Sequence, residues 1–122
     1  MNPVDIIETQ LAAYNARDIG AFAATYAEDV RIFRGGSLKP KIVGREAIKV
    51  QYGTKTFMKE GLNAKILSRM VVGNKVLDHE RTTWDGNAVP MESIVVYEVV
   101  NDLIQNVWFF NPNMATEFEA GI

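Results

Sequence analysis

Cysteine is missing from this 122-residue chain, histidine occurs once, and only four prolines interrupt it. Without cysteine there is no disulfide framework, no thiol nucleophile and no zinc site of the commonest kind. A lone histidine is a poor start for a metal centre, so no metal and no cofactor is expected. Long apolar runs are lacking too: none approaches the length that spans a bilayer, and the opening Met1-Asn2-Pro3-Val4-Asp5 has neither the basic nor the apolar region of a secretory signal. A cytoplasmic location is the expectation. Nor is there an excess of either charge. Thirteen Lys and Arg stand against 15 Asp and Glu, a net charge of −2, and the basic residues are scattered, which argues against nucleic acid or an anionic membrane as partner.

What is present suffices for one core. A 48% hydrophobic chain of this length reads as a single domain over residues 1–122. The first sixty residues are helical in pattern. Asn2 and Pro3 open a helix carrying Val4, Ile7, Leu11 and Tyr14 on one face; Asp18 caps a short second helix in which Ile19, Phe22 and Tyr26 share a face. Val30 to Phe33 reads as a short strand, Gly35-Gly36 as a turn, and Leu38 to Val43 as another short strand interrupted by Pro40. Gly44-Arg45-Glu46 opens a third helix with Ile48 and Tyr52, expected to end near Gly61. Then the pattern turns to strands: Leu62–Val72, Lys75–Trp84, Met91–Val100 and Leu103–Asn111, separated by Gly73-Asn74, Asp85-Gly86-Asn87 and Asn101-Asp102. Helices ahead of a run of antiparallel strands imply an α+β fold, three helices packed on one face of a curved sheet. The Phe57-Met58 pair and Phe118 read as packing residues.

The run Asp78-His79-Glu80-Arg81 lies inside a strand, so Asp78 and Glu80 face one side and His79 and Arg81 the other. Hairpin register decides which pair points in. A two-residue loop at Gly86-Asn87, or one at Asp85-Gly86, gives the same parity: Val76, Asp78, Glu80, Thr82 and Trp84 share a face with Met91, Ser93, Val95, Tyr97 and Val99, the more apolar one. The Gly86-Asn87 register also sets Arg81 opposite Glu92 on the other face. Asp78 and Glu80 are therefore the inward pair. The outer face, with His79, Arg81, Glu92 and Ile94, keeps more apolar surface than a solvated sheet needs, which leads us to expect a homodimer through it. For the last strand two arrangements remain open: a plain Asn101-Asp102 loop turns Trp108 and Phe110 inward, one bulge turns Phe109 and Asn111 inward instead.

Taken in succession, Tyr14-Asn15-Ala16-Arg17-Asp18, Tyr26-Ala27-Glu28-Asp29-Val30, Gly44-Arg45-Glu46-Ala47-Ile48 and the Trp84-Asp85-Gly86 hairpin resemble the nuclear transport factor 2-like superfamily. The nearest branch holds ketosteroid isomerase and SnoaL-like polyketide cyclases. The resemblance covers Val4 to Phe110 and implies a cone-shaped α+β barrel around one deep apolar pocket, with dimerisation through the outer sheet face. It identifies a fold used for many activities. Ketosteroid isomerase uses an aspartate base and an oxyanion hole made of a tyrosine and a protonated aspartic acid. The corresponding positions here hold Arg34, Gln10 and Val95, so that mechanism is not expected. What the resemblance does supply is pocket lining at Tyr14, Tyr26 and Tyr52, with Ser93 and Phe109 on neighbouring strands.

Two carboxylates about 7 Å apart on one strand face share a site, and each raises the other's pKa. Glu80 is then a general base and Asp78 its coupled acid, with Arg34 at the pocket mouth and Tyr14 or Tyr52 polarising a carbonyl. The competing reading is a structural network in which Arg34, Arg17 or Arg45 neutralises the pair. The function expected is cofactor-free isomerisation, cyclisation or dehydration of a small, mostly apolar carbonyl compound. The alternative is a ligand-binding or dimeric module without catalysis.

Overall fold

The computed structural model describes residues 2–112. Helix α1 (Pro3–Ala16) starts at Asn2, whose side chain accepts a hydrogen bond from the Val4 amide at 2.9 Å, and stops at Arg17 in the left-handed conformation. Asp18 caps α2 (Ile19–Ala24) through the Ala21 amide. The second helix is shorter than helical spacing suggests. Tyr26 is the first residue of strand β1 (Tyr26–Arg34), because the Ile104 amide donates to the Thr25 carbonyl and draws the chain into the sheet. Pairing across the fold overrides a four-residue spacing that still brings Phe22 and Tyr26 into ring contact at 5.2 Å. Pro40 limits the next strand, β2, to Ile42–Val43. Helix α3 (Arg45–Thr54) ends well before Gly61 and is followed by a single 3-10 turn, Thr56–Met58, in which Phe57 is buried and Met58 exposed. Met58 is thus no packing residue, and Phe118 lies outside the described residues.

Strands β3 (Asn63–Val72), β4 (Lys75–Thr83), β5 (Met91–Val100) and β6 (Leu103–Phe110) form an antiparallel meander. β1 then pairs with β6 in parallel, giving the order β2-β1-β6-β5-β4-β3. The sheet is curved and open rather than a closed barrel, and the three helices pack on one face. Phe22, Ile7, Ile48, Val30 and Ile104 are buried between them. No helix among the described residues is long and apolar enough to cross a membrane.

Register carries the functional consequence. β4 and β5 pair with Glu80 opposite Ser93, Asp78 opposite Val95 and Arg81 opposite Glu92, the alignment expected from Gly86-Asn87, although the connecting loop extends over residues 84–90. β6 carries a bulge: Val99 pairs with Ile104 but Glu98 with Asn106, leaving Gln105 as the extra residue. The bulge sets Val107 opposite Tyr97 and Phe109 opposite Val95, on the inner face, and sends Trp108 and Phe110 outward. A second bulge, at Leu67 of β3, lies beside Glu80: Ile66 pairs with Glu80, Ser68 with His79 and Arg69 with Asp78. Without that extra residue Ser68 would face Asp78, so the bulge is what brings Arg69 onto the inner face.

Candidate functional site

A cavity of about 180 Å³ opens between the helices and the inner sheet face. Gln10, Leu11 and Tyr14 of α1, Phe22 of α2 and Tyr52 of α3 form its helical wall; Tyr26 and Ile32 of β1 and Val107 and Phe109 of β6 close one side. Ala64 of β3, Glu80 and Thr82 of β4 and Met91, Ser93, Val95 and Tyr97 of β5 make the sheet wall, and Thr56, Lys59 and Trp84 complete the lining. Glu80 is the sole carboxylate, and Lys59 the sole cation, among these residues.

Glu80 sits in poorly solvated surroundings. Burial raises its carboxyl to about 7, the negative charge of Asp78 adds to the rise, and the Thr82 hydroxyl works against it. That hydroxyl donates to Glu80 Oε1 at 3.3 Å, a long contact for an O–H donor. The carboxyl is therefore lightly engaged and open to a ligand. All four tyrosines of the chain, Tyr14, Tyr26, Tyr52 and Tyr97, line the same space. Burial lifts every one of their phenols above the ordinary range, Tyr52 to about 12, and the nearby Glu80 charge contributes in each case. They stay protonated and act as donors. Gln10 Nε2 donates to the Tyr26 hydroxyl at 3.0 Å and fixes it; Tyr52 and Tyr97 make no hydroxyl hydrogen bond to any described residue, and no buried polar side-chain atom lacks a partner, so their O–H groups open into the cavity. Aromatic contacts hold the rings in place: Phe22 lies 5.9, 5.2 and 4.8 Å from the centroids of Tyr14, Tyr26 and Tyr52.

Asp78 behaves differently. It is 0% exposed and does not line the cavity. Arg69 holds it in a two-pronged pair, Nε to Oδ1 at 2.6 Å and Nη2 to Oδ2 at 2.9 Å, while Arg69 Nη1 binds Glu8 of α1. Asp78 as a coupled catalytic acid is thereby corrected: its proton-accepting oxygens are already occupied. The neutralising arginine is also none of the three anticipated. Arg17 donates to the Lys59 carbonyl, Arg45 clasps the Tyr26 carbonyl, and Arg34 is exposed at the end of β1 and absent from the cavity wall. Arg34 is therefore corrected as a pocket residue, since β1 ends with its side chain outside the lining.

Tyr14, Tyr26, Tyr52, Ser93, Phe109 and Glu80 all line the cavity. Tyr97, Thr82 and Trp84 were on the inward face in sequence but carried no assigned role; Gln10 stood at the oxyanion-tyrosine position of the resemblance without a role of its own, and Lys59 and Arg69 were not foreseen. Gln10 also had a local signal, its place one helical turn before Tyr14. On the opposite sheet face His79 Nε2 lies 2.6 Å from Glu92 Oε1, tighter than the 3.9 Å between Arg81 and the same carboxylate. Ile94 beside them is 47% exposed.

The model of the SnoaL-like domain family matches residues 7–107. Solved structures with the same fold include an uncharacterised cystatin-fold protein from Novosphingobium aromaticivorans, at TM-score 0.79 and 23% identity over 89% of this chain and 97% of that one. A candidate ketosteroid isomerase from Kribbella flavida matches at TM-score 0.75 and 21% identity, over 94% and 81%. A candidate polyketide cyclase from Sinorhizobium meliloti matches at TM-score 0.73 and 19% identity, over 86% and 93%. At these identities the likeness is one of fold. No curated protein sequence matches the chain.

Proposed function

The chain belongs to the SnoaL-like domain family, and on that premise we propose that it is a cofactor-free acid-base catalyst for a small, mostly apolar carbonyl compound. One observation carries the reading: a single lightly bonded carboxyl, Glu80, is enclosed with four tyrosine donors in one cavity. A carboxyl near 7 is divided between base and acid at neutral pH, the condition in which one group both removes and returns a proton. Glu80 takes a proton from the carbon beside the carbonyl. The electron pair moves to the carbonyl oxygen, where the Tyr52 and Tyr97 hydroxyls stabilise the enolate, and protonated Glu80 then returns the proton to carbon or to a leaving oxygen. Isomerisation, cyclisation and dehydration all share that first step. The cavity is smaller than the roughly 300 Å³ and upward that take drug-sized ligands, which restricts an enclosed substrate to a small molecule. The Arg34, Gln10 and Val95 positions keep this reading apart from the ketosteroid isomerase mechanism.

The test is hydrogen exchange in heavy water. Small ketones incubated with the protein lose α-protons, followed by NMR, about 100-fold faster with the native chain than with Glu80→Gln. Equal rates would leave ligand binding as the role of the cavity. A homodimer through the outer sheet face belongs to the same proposal, supported by exposed Ile94 and Phe110 beside the Phe33–Trp108 stack at 5.7 Å. Ile94→Lys then gives a monomer in sedimentation; a native chain that sediments as a monomer contradicts this.

A further inference from the structure

Resting on that reading of the cavity, we propose that the substrate carries a carboxylate at the end remote from its carbonyl, and that Lys59 at the cavity rim binds it. Lys59 is the one cationic side chain among the described lining residues, and it is half-buried. Its ammonium lies 4.1 Å from the centroid of the Trp84 ring. It makes no salt bridge and donates no hydrogen bond to any described residue, although Glu60 is adjacent and Asp85 follows Trp84. Two other lysines, Lys49 and Lys75, are each held by a carboxylate, Glu46 and Glu98 respectively, and neither lines the cavity. A stack on an indole face steadies an ammonium but accepts none of its three N–H bonds in line, so the group keeps its donors for an anion.

The placement of Lys59 is built into the backbone. Arg17 Nη1 donates to the Lys59 carbonyl at 2.9 Å, and the Asp85 amide donates to the Glu60 carbonyl at 2.8 Å. Gly61, at φ +71°, comes so close that a Cβ there would lie 2.2 Å from Asp85 Oδ1. The 59–61 segment and the β4–β5 loop are thereby locked edge to edge, and the lysine is set over the indole. The cavity is consequently bipolar: a carboxyl with phenol donors on the sheet and helix walls, and at the rim a cation that no described carboxylate pairs. An oxo-carboxylate enters carbonyl first, since the reverse orientation would bring its anion against Glu80.

Calorimetric titration of 4-oxopentanoate, its longer homologues and their methyl esters into the native chain, Lys59→Met, Lys59→Arg and Glu80→Gln tests this. The acids bind about tenfold tighter than the matched esters to the native chain and to Glu80→Gln. Lys59→Met removes the preference by weakening acid binding only, and Lys59→Arg keeps most of it. Equal affinity for acid and ester, an acid preference that survives in Lys59→Met, or no binding of any member at millimolar concentration would overturn the inference. The catalytic reading fails separately: if the bound acids exchange their α-protons no faster with the native chain than with Glu80→Gln, proton transfer falls while the role of Lys59 stands.

Discussion

Two carboxylates two residues apart on the same face of β4 have opposite surroundings, and the difference separates structure from chemistry in this molecule. Asp78 is buried and held through both oxygens by Arg69, which also reaches the exposed Glu8. Glu80 meets one long hydroxyl contact and four phenols across a cavity. The cause is local to β3. The bulge at Leu67 turns Arg69 toward Asp78, so one acid becomes a strut between α1 and the sheet. Its charge still reaches Glu80 and helps raise that carboxyl, behind the larger effect of burial. A fixed ion pair thus serves the site electrically while contributing no proton.

The contrast breaks most severely at Arg69. Arg69→Met strands the Asp78 charge in the interior and costs about 3–5 kcal/mol of stability, read from urea unfolding. A loss under about 1 kcal/mol would mean that the pair is not a strut. Next comes Glu80, with the opposite sign. Its folded value, about 7, stands above the unfolded 4.5, so the folded state holds the proton more tightly. Stability from this group is complete below pH 4.5, falls as pH rises to 7, and is flat above. Glu80→Gln removes that decline and stabilises the chain by about 1–3 kcal/mol at pH 8, the lower figure allowing for water in the cavity. Tyr97→Phe deletes a hydroxyl that no described residue engages, leaves stability within about 1 kcal/mol, and slows α-proton exchange by about tenfold or more. Smallest of all is Arg81→Ala. It breaks a 3.9 Å exposed contact with Glu92 and changes stability by less than about 0.5 kcal/mol.

Much of this was legible in the chain. Alternation in β4 and β5 and the Gly86-Asn87 turn place Asp78, Glu80, Thr82, Ser93 and Tyr97 on one face, and the structure aligns them in that register. Asn2 and Asp18 mark their helix starts because capping is a local interaction. What was not legible depends on partners far away in sequence. An extra residue at Leu67 or Gln105 leaves no local trace, yet it reverses the facing of everything beyond it, and so Arg69 and Phe109 were respectively unforeseen and undecided. Tyr26 keeps helical spacing but is captured by the parallel pairing of β1 with β6. Lys59 depends on two loops meeting, through the Glu60–Asp85 hydrogen bond and the missing side chain of Gly61.

Proton exchange at neutral pH in this cavity rests on Glu80. Titration of the Glu80 side-chain carboxyl by carbon-13 NMR measures this directly. Burial and the neighbouring Asp78 charge are expected to put the midpoint near 7; a midpoint near the ordinary glutamate value of about 4.3 would contradict it.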